Sequence, residues 1–301
     1  MIDHLEQNNF KTIDLTSIHV SNPGVYDTNL DSFLDYIHRK GWNNNEKPHF
    51  VTNKNLLKSV AASKTNLIYA CRMKGVTFMI IGGTNTPVSL GLGPVFEHIM
   101  TEKSNDEIEI KGVFEATVPR EGGDSFRIYY SGQIDAVTKD EGDNIRHFEL
   151  KLFENTKSGD EVFWDKVFWK NSGCIFYWQA FFGNCESLIF GFRTGKHRWN
   201  RIDPYHLYKI TEMNVQDMPK KAAVKLENET WTVEDGEKNL LSLLTLVNKF
   251  VTSDKDCFVF EKNEIYSSGW IAKRDKKKIV SKFQSVIREK LCTVTRPSKF
   301  Q

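Results

Sequence analysis

The chain has 301 residues, 40% of them apolar and 27% charged, with a formal net charge of +2. This is long enough to bury a large core and has the composition of a globular protein, and the near-zero balance excludes a uniformly basic surface while leaving room for a local basic groove. Five widely spaced cysteines with no C-x-x-C disfavour a zinc ribbon or a disulfide framework and point to reduced thiols inside the cell, in nucleus or cytoplasm.

Residues 1–45 are polar and Asn-rich, with one helical signal at Leu30 to Ile37. They open without an apolar or a basic leader region, so no signal peptide is expected. His49 to Thr52 reads as a strand and Leu56 to Val60 as the start of a helix. Asn66 to Cys71 and Val76 to Ile81 read as two strands joined around Lys74-Gly75, a hairpin. Val95 to Met100 starts a helix after Gly91-Leu92-Gly93-Pro94, and Ile110 to Val118 is a strand. Ser125 to Val137 and Ile145 to Phe153 form the next two strands, with a polar turn at 139–144 between them. The aromatic run 162–182 is helical, and Ser187 to Arg193 is a buried strand. The last third gives strands at 207–214, 257–261 and 264–271 and helices near 238–250 and 277–291. The longest apolar stretch, Leu240 to Val251, is too short and too interrupted to span a bilayer. Strands and helices are mixed and no long linker divides them, so one α+β domain over residues 1–301 is expected.

Chemistry concentrates around the turn at 139–144. Side chains alternate faces along a strand, so Gln133 and Asp135 point one way and Ile134 the other, and Glu149 and Lys151 share a face while Leu150 takes the opposite one. Pairing of the two strands brings two carboxylates and an ammonium to one spot. Hard divalent cations such as Mg²⁺ take carboxylates, waters and phosphate oxygens, and a lysine beside them can orient water or neutralise phosphate charge. An Asp followed by Glu-x-Lys is the outline of a PD-(D/E)xK nuclease core, but Glu-x-Lys on its own also describes a solvated surface pair.

Further motifs narrow this. Gly93-Pro94-Val95-Phe96-Glu97, Gln133-Ile134-Asp135, Glu149-Leu150-Lys151, Gln179 and Gly191-Phe192-Arg193 follow one another in an order that resembles the motif series of the DXO decapping exoribonuclease family, over roughly residues 48–290. The resemblance implies two twisted mixed β-sheets flanked by helices. It implies an RNA 5′-end hydrolase that removes NAD-type and incomplete caps and degrades RNA 5′→3′. Glu97, Gln133, Asp135, Glu149 and the Leu150 carbonyl would ligate Mg²⁺ or Mn²⁺. Asp135, Glu149, Lys151 and Gln179 would be catalytic, and Lys54, Gln133, Lys151, Gln179 and Arg193 would contact RNA. The partners implied are capped, NAD-capped, triphosphate or monophosphate RNA ends, with no membrane and a monomeric chain.

Three positions depart from the family pattern. Gln133 stands where the family has a Glu, an amide oxygen without the negative charge. Asn53-Lys54-Asn55 replaces Trp-Arg-Gly, keeping a charge but losing the guanidinium fork. Ile175 stands where related enzymes often carry Lys. Two functions therefore stay open: an active hydrolase, or an impaired relative that binds RNA ends or a protein. The N-terminal 45 residues do not align.

Other features carry two readings each. Phe163-Trp164, Phe168-Trp169 and Phe176-Tyr177-Trp178 are either base-stacking surfaces or a helical core stripe. Lys273-Arg274-Asp275-Lys276-Lys277-Lys278 is either a phosphate patch or localisation signal, or a solvated helix entry. Gly82-Gly83-Thr84-Asn85 and Gly91-Leu92-Gly93 are turns rather than phosphate loops.

Overall fold

Turn chemistry, caps and apolar periodicity place the elements, and the computed structural model describes residues 12–17, 30–40, 47–83, 92–101, 111–154, 166–195, 197–198, 201–202, 205–227, 230–263 and 269–292. The strands are β1 (Ile13–Asp14), β2 (Phe50–Asn53), β3 (Leu67–Met73), β4 (Val76–Ile81), β5 (Lys111–Pro119), β6 (Ser125–Gln133), β7 (Ala136–Lys139), β8 (Ile145–Glu154), β9 (Cys185–Arg193), β10 (His197–Arg198), β11 (Arg201–Ile202), β12 (His206–Asn214), β13 (Cys257–Lys262) and β14 (Trp270–Arg274). The helices are α1 (Asp31–Lys40), α2 (Lys54–Ala61), α3 (Gly93–Met100), α4 (Cys174–Phe182), α5 (Met218–Leu226), α6 (Val233–Phe250) and α7 (Ile279–Cys292). The chain divides into two compact units, each with its own sheet, and the α+β class read from the sequence holds.

One unit comprises residues 27–85, 112–132 and 234–301. Its sheet runs β14-β13-β3-β4-β2-β6-β5, with β2 parallel to both of its neighbours. Lys74 and Gly75 take φ of 51° and 81°, the left-handed pair that a tight hairpin between β3 and β4 requires. Both of their N–H groups donate to Asp254. Val51, Cys71 and Phe78 pack against Leu34 and Ile37 of α1 and Val280, Phe283 and Ile287 of α7. Asn53 caps α2 by accepting the Leu56 N–H at 2.9 Å.

The other unit comprises residues 1–26, 86–111 and 133–233. Its sheet runs β1-β12-β9-β8-β7, with β8 and β9 parallel and the other pairings antiparallel. Leu188 to Phe192 are all buried, with no alternation. A strand beside a parallel partner is covered on both faces and reads as a continuous apolar run. On one face Ile189 joins Phe96 and Val95 of α3, and on the other Phe190 meets Phe153 and Phe168. The chain enters α4 through a helical turn at Lys166–Phe168 and a π-helical segment, Trp169–Gly173.

Two expectations change, and one helix is added. Ser125 to Val137 is not one strand: β6 ends at Gln133, β7 begins at Ala136, and they lie in different sheets. At the break, Asp135 accepts the Leu150 N–H with its carboxylate at 3.1 Å, a side chain taking the place of a ladder carbonyl. The strand read at 264–271 lies at Trp270–Arg274, and 264–268 fall outside the described residues. Helix α5 is not among the elements read from the sequence, although Met218, Ala222 and Leu226 recur at helical spacing and are buried, and Pro219 in its first turn presets φ and lacks the N–H that a helix start leaves unpaired. Most of residues 1–45, Thr84-Asn85, Gly91 and Phe163-Trp164 also lie outside the described residues. Among the described residues no helix is long and apolar enough to cross a membrane.

Candidate active site

The site is built by the β7–β8 register. Ala136 pairs with Phe148, so Asp135, one residue before the pair, is set against Glu149, one residue after it. Asp135 is 6% exposed and Glu149 1%. Glu149 Oε1 accepts the Lys151 ammonium at 2.5 Å and also the Gln179 side-chain amide from α4. Leu150 takes the other face of β8, packing with Phe148, Val95 and Phe96. The alternation read from the sequence is realised, and it is this alternation that separates the polar cluster from the core.

Two carboxylates this deep need compensation. Burial first, and then the Glu149 carboxylate, push Asp135 up to about 7, against the opposing pull of Lys151. Burial works against the charge of Lys151, whose side chain is 19% exposed, yet Glu149, Asp135 and Glu97 together hold its ammonium above the usual lysine range. The cluster therefore carries more negative than positive charge, and a single ammonium balances it only in part.

Glu97 comes from α3, which docks on the opposite face of the sheet. The helix end is closed by Thr101, whose N–H and hydroxyl both donate to the Glu97 carbonyl, at 3.0 and 2.6 Å. Phe96, the neighbour of Glu97, lies on Gly191 of β9, where an added Cβ would come within 2.6 Å of the ring and 3.0 Å of Leu207. Gly191 is thus the seat that lets α3 approach. Gly191→Ala is expected to push α3 outward and to cost about 1–3 kcal/mol, since overpacking a full core forces shifts. Urea unfolding measures the cost, and an unchanged midpoint would refute the seat.

The remaining sequence candidates are placed as follows. Gln133 closes β6 and is half-buried. Lys54 is a residue of the other unit, buried at the start of α2. Its stem lies across Gly132, where a Cβ would meet Lys54 Cβ at 2.9 Å. Arg193 is held locally: its guanidinium donates to the Gly195 carbonyl at 2.9 Å, stands 3.5 Å from Glu154 and lies 4.7 Å over the Tyr205 ring. The aromatics sort by burial. Trp169, Tyr177 and Trp178 are core, while Phe176 is half-buried with its ring centroid 5.7 Å from Lys151 Nζ. Phe176 lies three residues before Gln179, on the same helix face. The basic run 273–278 leads into α7, with Asp275 accepting the Ile279 and Ser281 N–H groups and Lys273 paired with Glu261, as the solvated helix entry requires.

Carboxylates and a strand carbonyl form the oxygen donor set a hard divalent cation takes. The excess negative charge felt by Asp135 is what such a cation would relieve. Among the described residues no group of three or more His, Cys, Asp or Glu stands in metal-holding geometry. Glu149 turns Oε1 to both Lys151 and Gln179, so the ammonium supplies part of the positive charge that a cation would bring.

No family model matches the sequence, and no curated protein matches it. Solved structures do. Rai1 of Scheffersomyces stipitis, in complex with (3′-NADP)⁺ and calcium ion, superposes with a TM-score of 0.67 at 13% identity, over 94% of this chain and 85% of that one. Candida albicans Rai1 in complex with pU5-Mn²⁺ gives 0.61 at 14% identity, over 92% and 86%. S. pombe Rai1 gives 0.59 at 16% identity, over 81% and 77%. These neighbours are proteins of the DXO family, and the chain has their fold, as the motif series implied.

Proposed function

We propose that this chain is a divalent-metal-dependent hydrolase of RNA 5′ ends: a decapping and deNADding pyrophosphohydrolase and 5′→3′ exoribonuclease. One observation carries the reading, the buried cluster in which Glu149 holds Lys151 and Gln179 beside Asp135. The Rai1 neighbours support it, since their complexes contain (3′-NADP)⁺ with calcium, pU5 with Mn²⁺, and 3′-FADP.

In this reading Glu97, Gln133, Asp135, Glu149 and the Leu150 carbonyl hold Mg²⁺ or Mn²⁺, which when bound supplies a polarised water and a clamp on phosphoryl oxygens. Lys151 places its charge at the scissile phosphate, where negative charge grows during attack. Gln179 keeps Glu149 oriented and lends its amide to the attacking water. Lys54 and Arg193 are assigned to RNA on the resemblance alone. The protein works as a single DXO-like domain and a monomer, in nucleus or cytoplasm. The test is incubation with capped, NAD-capped, triphosphate and monophosphate RNA in Mg²⁺ or Mn²⁺. Release of no product from any of the four ends refutes the reading.

Gln133 favours a second reading, an impaired relative that binds RNA ends or a protein. An amide in place of a carboxylate removes one unit of charge, worth about 4 kcal/mol against another unit charge at ~4 Å and an effective dielectric near 20. Gln133→Glu is therefore expected to tighten Mn²⁺ binding by about tenfold or more in calorimetry. If only the Glu variant turns over RNA, the impaired relative is the correct reading.

A further inference from the structure

Helix α4 offers β8 two side chains from one face, Phe176 and Gln179, three residues apart. Along β8 the residues facing them are Glu149, Lys151 and Phe153. Gln179 donates to Glu149, and the Phe176 ring lies 5.7 Å from Lys151 Nζ. That ring is itself braced, meeting Phe153 at 5.7 Å and 64° and Phe168 at 6.2 Å. The helix thus grips both members of the buried ion pair, the carboxylate with an amide and the ammonium with a ring.

We infer that Phe176 is a positioning residue: its π face holds the Lys151 ammonium in place when Glu149 shares its oxygen with a divalent cation. This rests on the metal-dependent reading above. Glu149 Oε1 stands 2.5 Å from Lys151, and any cation that draws on that oxygen weakens this hold. A lysine stem is flexible and its ammonium strongly hydrated, so on losing the carboxylate it swings to solvent unless something else attracts it. An aromatic face within about 6 Å does so, and more strongly in a desolvated site. The bracing by Phe153 and Phe168 keeps the ring from following the ammonium.

The experiment replaces Phe176 with mono-, di- and trifluorophenylalanine, which drain charge from the ring face at nearly constant shape, alongside Phe176→Tyr and Phe176→Leu. Two readouts are taken with Mn²⁺ present: kcat and KM on 5′-triphosphate RNA, and the rate of Lys151 acetylation at one pH by mass spectrometry. The expected result is a stepwise fall in kcat, about tenfold at the trifluoro residue, with KM within about twofold. Lys151 acetylation rises in the same order, Phe176→Leu behaves like the trifluoro residue, and Phe176→Tyr retains the parent rate. If fluorination changes neither readout while Phe176→Leu is impaired, the ring only packs and the inference fails. If the parent chain hydrolyses no RNA end, the functional reading falls, and the acetylation order alone decides whether the ring holds Lys151.

Discussion

Replacing Glu149 by Gln is expected to lower RNA 5′-end hydrolysis by about a thousandfold or more, measured as kcat/KM on triphosphate and NAD-capped RNA with Mn²⁺. The side chain keeps its volume but loses what three neighbours depend on. Lys151 loses the carboxylate 2.5 Å away, Gln179 faces an amide in place of an anion, and the proposed cation site loses a buried oxygen donor. Leaving an ammonium in a largely buried site without its carboxylate also costs stability, on the order of a few kcal/mol. Glu149→Gln with Lys151→Met separates the two effects. The double variant removes both charges, so it is expected to regain most of the lost stability in urea unfolding while remaining inactive. A Glu149→Gln enzyme within tenfold of the parent would remove Glu149 from the chemistry.

The second large effect is a metal response that depends on pH. Asp135 has its carboxyl raised to about 7, by burial first and by Glu149 next, from an ordinary value of 3.8. Between these two values the folded protein holds a proton that the unfolded chain has released. The contribution of Asp135 to metal-free stability is therefore fully present below pH 4 and is lost as pH rises through 7. A divalent cation binds the ionised form, so it returns that stability where it has been lost. Adding Mn²⁺ is expected to raise Tm by several degrees at pH 8 and by much less at pH 5.5. Asp135→Asn should raise the metal-free Tm at pH 8, because no buried carboxylate needs to ionise, and should abolish both the Mn²⁺ response and activity. Equal Mn²⁺ shifts at both pH values, or a full response in Asp135→Asn, would count against this assignment of the charge.

Much of the polar site was legible in the chain because strand alternation is a local property. Glu149 and Lys151 share a face and Leu150 faces the core by backbone geometry alone, and both are found so. The fold was legible for another reason: the ordered series of short motifs resembles that of the DXO family, and the resemblance implied two mixed sheets flanked by helices. Composition and periodicity were poor guides where long-range partners decide. Ser125 to Val137 has unbroken strand character, yet its two halves enter different sheets. Ser187 to Arg193, by contrast, reads as a buried strand and is one, its apolar run covered on both faces beside a parallel neighbour.

By itself, then, the sequence determined which residue types face together on β8, carboxylate and ammonium on one side and aliphatic side chains on the other. The tertiary structure decided how they are arranged. Asp135 reaches Glu149 because it leaves its strand and accepts the Leu150 N–H. Glu97 is carried by a helix whose Phe96 lies on Gly191, and Phe176 is set beside Lys151. Each of these depends on contacts between segments separated along the chain, set by burial and close packing, which local pattern does not encode.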